Sequence, residues 1–185
     1  MVRRFFVVAG SLLVLLTQFQ TAALAQQDVS ISAFYGVWRG NALSESNIST
    51  HFRVTARDLD VEIRPVEPGG FMINWATVLR QKGDPNAPAE VLKEARVTFL
   101  PDATRQKVWR AADQGDPMGE NGFNWARLEG QTLTIYGIGV AEDGSAELQI
   151  YRRTLTDLGM QLDFTRTVDS EPVRSARGKL IKFAQ

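Results

Sequence analysis

From residue 34 onward, apolar and polar side chains alternate at period two, interrupted at short intervals by glycine, proline, asparagine and aspartate. That rhythm predicts strands, because successive side chains of a strand point to opposite faces. The first strand is expected over 34–42, with Phe34, Gly36, Trp38 and Gly40 facing inward. The next stretch, 52–66, is composite: Phe52, Val54 and Ala56 share one phase, and Leu59, Val61 and Ile63 the other. Keeping one face buried then calls for a bulge near Arg57 and Asp58. Pro68, Gly69 and Gly70 turn the chain into 71–81, where Phe71, Ile73, Trp75, Thr77 and Leu79 are in phase. Further strands are expected from about 91 to 99, with Ala95, Val97 and Phe99 in phase, over 107–112, from Trp125 to the turn at Gly130, and over 132–140. Asp143-Gly144 signals a hairpin into 147–155. Strands over 160–168, with Leu162, Phe164 and Val168 in phase, and about 173–183 complete the series. The stretch 113–122 is rich in glycine and nearly devoid of apolar residues, which marks the longest loop and a mouth or lid.

The fold class is therefore all-β, with about ten strands joined mostly by hairpins. Such a meander cannot stay flat without two exposed edges and an apolar face in water. An antiparallel up-and-down barrel of about 8–10 strands removes both, and at that size its interior holds packed side chains or one small ligand. A two-sheet β-sandwich is the alternative, and the hairpin connectivity favours the barrel.

Ahead of this domain, assigned to 34–185, lie a short segment, 26–33, and a leader. Arg3 and Arg4 precede an apolar stretch over 5–16, and Ala23-Leu24-Ala25 offers small residues where a signal peptidase reads them. The apolar stretch is too short to span a bilayer as a helix. Residues 1–25 are thus expected to be a signal peptide, and the protein to be exported, periplasmic in a Gram-negative cell or secreted, with no membrane span after cleavage. Arg3-Arg4-Phe5-Phe6 also resembles part of the twin-arginine export motif.

Composition narrows the chemistry. Of 185 residues, 21 are basic and 21 acidic, and loss of Arg3 and Arg4 leaves a slightly acidic chain, without the basic surplus of a nucleic-acid binder. There are no cysteines and only one histidine, His51, so disulfides, thiolate metal sites and the common nucleophile–base pairs are out of reach. His51 lies on the polar phase of its strand, and neither a metal nor a cofactor is expected. No Gly-x-Ser-x-Gly motif or phosphate-binding glycine loop occurs, and no enzyme activity is expected.

The stretch Phe34-Tyr35-Gly36-Val37-Trp38-Arg39-Gly40 resembles the Gly-x-Trp opening of the lipocalins and the wider calycin superfamily. The resemblance implies a barrel whose floor the tryptophan closes, with an arginine from a late strand packed across the indole. Gly36, Trp38 and Arg166 match that arrangement, with Arg174 and Arg177 as competitors for the arginine. The chain departs from the family in having no cysteine for the disulfide that lipocalins often carry. Residues 71–79, Trp125-Ala126-Arg127 and Leu133-Thr134-Ile135-Tyr136 are further similar to secreted bacterial lipocalin-like proteins, which implies a barrel and export and no activity. Trp38-Arg39-Gly40 is also similar to the opening of a haem-binding barrel family, whose late iron-binding histidine has no counterpart here.

The expected function is binding of a small apolar or amphipathic molecule of the cell envelope, with Trp75, Phe52, Phe99, Tyr136 and Phe164 lining the cavity. The alternative is a filled barrel that engages an envelope protein, as an inhibitor or interaction module, through the loop 113–122 or through exposed Trp109 and Tyr151. Arg152 and Arg153 face opposite sides of their strand and cannot converge on one anion. Trp38→Ala is expected to destabilise far more than Trp109→Ala.

Mass spectrometry of the exported protein should give an N-terminus at Gln26. An intact Met1 in that form excludes the cleavage.

Overall fold

The computed structural model describes residues 29–48, 54–80, 90–113, 115–119 and 122–184. A single 3-10 turn, Ile31–Phe34, leads into ten strands: β1 (Gly36–Ser46), β2 (Val54–Val66), β3 (Gly70–Arg80), β4 (Glu90–Pro101), β5 (Val108–Ala111), β6 (Phe123–Glu129), β7 (Thr132–Val140), β8 (Ala146–Thr156), β9 (Gly159–Val168) and β10 (Glu171–Ala184). Each pairs antiparallel with its successor, and β10 pairs with β1, so the sheet closes into an up-and-down barrel. Among the described residues no helix is long and apolar enough to cross a membrane.

Closure sets the register of everything inside. Across the seam, Gly40 lies opposite Leu180 and Ala42 opposite Gly178. A methyl group on Gly40 would collide with the Lys179 carbonyl, so the strands approach as closely as they do only because that position lacks a Cβ. On the other flank of β1, the pairing with β2 runs without interruption from Gly36↔Ile63 to Glu45↔Val54, and β2 pairs as evenly with β3. The bulge expected near Arg57 and Asp58 is therefore absent. Arg57 keeps the phase of Leu59, Val61 and Ile63, and the barrel admits a charged side chain at that height instead of shifting register. His51 and Phe52 lie outside the described residues, as do residues 1–28.

The floor is aromatic. Phe34, which ends the 3-10 turn instead of starting β1, is fully buried with Ile63, Phe71, Phe99 and Leu133. Gly36 takes φ +127, a conformation that side chains rarely adopt, as the chain swings from the turn into β1. Trp38 is buried two residues later, and its indole N–H donates to the Phe34 carbonyl at 2.8 Å. The cation over its ring is Lys182 of the last strand, with Nζ 5.2 Å from the centroid. Arg166, expected in that role, lies on β9 towards the opposite end of the barrel, and Arg174 and Arg177 do not supply the contact either.

Trp109 also departs from expectation. It is 6 % exposed, donates its N–H to the Gly69 carbonyl at 2.9 Å and packs edge-on against Phe71, whose ring stacks on Phe99. The indole closes the floor beneath the short strand β5. Trp38→Ala and Trp109→Ala are accordingly both expected to cost about 3–5 kcal/mol, as large aromatic truncations in a core do. Urea unfolding of the two variants beside the parent measures this, and a cost under 1 kcal/mol for either removes that ring from the floor.

Candidate functional site: a cationic cavity above the aromatic floor

Alternation carries each strand's inward residues from the floor to the opposite mouth, and their chemistry changes on the way. On β8 the inward series runs Leu155, Arg153, Tyr151, Gln149, Glu147, and on β9 it runs Met160, Leu162, Phe164, Arg166. Arg57 and Leu59 of β2, Trp75 and Thr77 of β3, and Arg174 and Ala176 of β10 face them. Together they enclose a cavity of about 480 Å³, a size that small-molecule sites commonly have.

One wall is an aromatic shelf. The rings of Trp75 and Tyr151 lie 5.6 Å apart and those of Tyr151 and Phe164 4.5 Å apart. A polar ladder climbs from it to the mouth. The Tyr151 hydroxyl donates to Gln149 Oε1 at 2.9 Å, Gln149 Nε2 donates to Glu147 Oε1, and Arg166 Nη2 donates to Glu147 Oε2. Burial raises the Tyr151 phenol, against the pull of Arg153, Arg57 and Arg166. Burial works in the same direction on Glu147, but the hydrogen bonds from Arg166 and Gln149 outweigh it and hold the carboxyl below its usual range.

The arginines dominate the charge. Arg153 is 1 % exposed, and its guanidinium carbon lies 5.4 Å from the Tyr151 ring centroid and 5.8 Å from that of Trp75. Its Nε and Nη1 have no hydrogen-bond partner. Burial pulls its pKa down to about 10, which leaves it charged at neutral pH. Nearer the mouth, the Nε atoms of Arg57, Arg166 and Arg174 are also buried without partners. The Arg57 pKa is lowered by burial and by the like charge of Arg174. A buried donor without a partner carries the full desolvation cost of that group, and a buried cation without an anion carries more.

Strand pairing in the wall is interrupted at the side among the described residues. β5 is short and pairs with β4 only from Phe99 to Pro101, so the upper part of β4 has no strand neighbour on that flank among the described residues. A second cavity of about 590 Å³ occupies the gap, bounded by β4, by Asp113, Gly119 and Gly122 of the long loop, and by Gly137 and Gly139 of β7. It shares Trp75, Gln149 and Tyr151 with the first, so the two cavities are continuous.

The residues singled out from sequence separate here. Trp75 and Phe164 line the cavity. Phe99 lies below it in the floor and lines neither cavity. Tyr136 is on the outer wall, stacked at 4.7 Å on Trp125, because Leu133 and Ile135 take the inward phase of β7. Arg166 is in the cavity on Glu147, and Tyr151, expected outside, stands at the centre of the shelf. Arg57, Arg153, Arg174 and Glu147 also line the cavity, a role assigned from sequence to none of them. The signal that finds Arg153 and Glu147 is parity with Tyr151, once Tyr151 is placed opposite Phe164.

Neither a protein-family profile nor a curated protein sequence matches the chain. Among solved structures, an S-type phycobiliprotein lyase, CPES, from Guillardia theta superimposes with a TM-score of 0.54 over 85% of this chain and 94% of its own, at 10% identity. A protein of unknown function of the DUF3598 family from Nostoc punctiforme gives a TM-score of 0.57 over 85% of this chain and 50% of its own, at 12% identity. At these identities the likeness is one of fold, a lipocalin-like barrel. It also overturns the expectation that the chain is no enzyme. A lyase stands on this barrel, so missing nucleophile motifs do not rule out catalysis.

Arg153→Met should stabilise the ligand-free protein by about 1–4 kcal/mol, because an apolar side chain of similar length replaces a desolvated, uncompensated charge. Urea midpoints at neutral pH measure the change, and a loss of stability would mean that the guanidinium is compensated in the ligand-free barrel.

Proposed function

We propose that the barrel binds a small amphipathic molecule whose apolar body lies along Trp75, Tyr151 and Phe164 and whose acidic group descends to Arg153. The observation that carries this reading is a buried guanidinium at the base of an aromatic-lined cavity, with two donors unused and no counter-ion among the described residues. An incoming carboxylate or phosphate supplies the missing acceptor, and in a dry site such charge-assisted hydrogen bonds are strong. The apolar floor excludes water beneath the head group, and the shelf takes the remainder of the ligand. The lipocalin-like fold supports the reading in general terms, since barrels of this size accommodate one small ligand.

Export belongs to the same reading. Arg3, Arg4, the apolar stretch 5–16 and Ala23-Leu24-Ala25 support a periplasmic or secreted carrier that meets its ligand in the envelope.

Dodecanoate is expected to quench the tryptophan emission saturably, with a Kd near micromolar, about −8 kcal/mol. Trp75→Phe should remove most of that signal with the fold retained by circular dichroism, and Arg153→Gln should weaken dodecanoate more than the uncharged dodecanol. A folded protein that gives no saturable response to a broad lipid panel, and carries no lipid in native mass spectrometry after mild extraction, sinks the proposal.

A further inference from the structure

Resting on that reading, we infer that the ligand carries two acidic groups at opposite ends of its apolar body, one held by Arg153 at the base and the other by Arg57, Arg174 and Ser46 at the mouth. Arg153 does not exhaust the cationic surplus. Four arginines line the cavity together with Lys93, Glu94 and Glu147, and Glu147 is the one carboxylate ion-paired to the arginines among the described residues. Glu147 is committed to Arg166 and Gln149. Arg57 and Arg174 remain, each with a buried, unpartnered Nε.

The strand order brings these two together. Arg57 belongs to β2 and Arg174 to β10, the two neighbours of β1. Arg57 lies opposite Ala42 and Arg174 opposite Ser46, with only Ser44 between those two on the inward face of β1, and the like charge of Arg174 reaches Arg57. Ser44 is satisfied by the Ser175 carbonyl. Ser46, opposite Arg174 in register, is only 8 % exposed and its hydroxyl has no partner. Two facing guanidiniums repel, and a hydroxyl buried beside one of them without an acceptor is a further cost. A single carboxylate or phosphate between them relieves both, since guanidinium and hydroxyl are all donors to one anion.

The distance between the two anion positions follows from register. Arg153 lies four residues along β8 from Gln149, or about 13 Å of strand, and Gln149 is level with Arg166, which faces Arg174. A ligand with one acidic end satisfies Arg153 and leaves at the mouth three arginines to the single carboxylate of Glu147. A diacid of matching length satisfies both.

Titrating the intact protein with dodecanedioate, dodecanoate and dodecanol at fixed low ionic strength tests this. Dodecanedioate should bind at least tenfold more tightly than dodecanoate. The double substitution Arg57→Gln with Arg174→Gln should bring the two acids to within about threefold of each other, whereas Arg153→Gln should weaken both. Ser46→Ala should narrow the margin in the same sense as the arginine pair. The inference is overturned if the diacid binds no better than the monoacid in the parent protein, or if the margin survives loss of both mouth arginines. If dodecanoate binds through Arg153 and the diacid gains nothing, the second acid site alone is lost; if none of the three probes binds, the ligand-binding reading falls and takes this one with it.

Discussion

Everything inside this protein depends on the pairing of its first strand with its last. Closing ten strands removes the two edges, whose backbone donors and acceptors would otherwise seek another chain. Closure also imposes one consistent alternation around the ring, so that a residue's parity decides whether it meets the interior or the solvent. The seam is made of small side chains, with Gly40, Ala42, Gly178 and Ala176 inward. Because that stretch of wall is low, bulk must come from the opposite strands, and it does so as Trp75, Tyr151 and Phe164. The cavity exists because the ring is thin at the seam and the aromatic shelf does not reach across to it.

Alternation in the sequence carried the architecture well and the interior badly, for one physical reason. A period of two defines two faces without saying which is inside. Where one face is clearly apolar, as in Phe71, Ile73 and Trp75, the assignment is forced. On β6 and β7 both faces are apolar, with Trp125 and Tyr136 stacked outside and Ala126 and Ile135 inside, so Tyr136 was as plausible a lining residue as its neighbour. On β2 the premise that the interior stays apolar required a bulge. The unbroken pairing instead puts Arg57 inside, which is tolerable only in a barrel that is not completely filled. Trp109 was misplaced because its strand has four residues, too few to show a phase. The cation over Trp38 is legible as a kind of contact, but it comes from Lys182, which the pairing of β1 with β10 sets directly opposite Trp38, an alignment that periodicity alone does not give.

The interior is divided by chemistry along its length. The lower part is a dry core of Phe34, Phe71, Phe99, Leu133 and Met160, and it supplies the burial that holds the domain together. That surplus permits the upper part to be unfavourable by itself. Glu147 neutralises Arg166 and the aromatic faces give Arg153 partial cation–π compensation. Neither returns what a guanidinium loses on leaving water. An aliphatic side chain of similar volume would fill the same space at lower cost.

The same uncompensated charge also bears on the chemistry the barrel can support. A cation at the base of a water-poor cavity stabilises any anion that forms there, whether it arrives with the ligand or develops during a reaction, because a fixed charge in a poorly screened site acts far more strongly than in water. Binding an anion and stabilising one that develops would draw on the same feature, and the absence of cysteine and of histidine pairs bears on nucleophilic routes. Tyr151 lies beside that cation, its ring centroid 5.4 Å from the guanidinium carbon, and is linked through Gln149 to Glu147 at the mouth. Its phenol is held above its ordinary pKa, so it stays a donor and not a base across the physiological range. An arrangement of fixed donors around an anion, with a protonated phenol among them, stabilises negative charge without taking up a proton. In this interior the arginines and the phenol are fixed donors, and Glu147, kept ionised by Arg166 and Gln149, is the carboxylate that faces them.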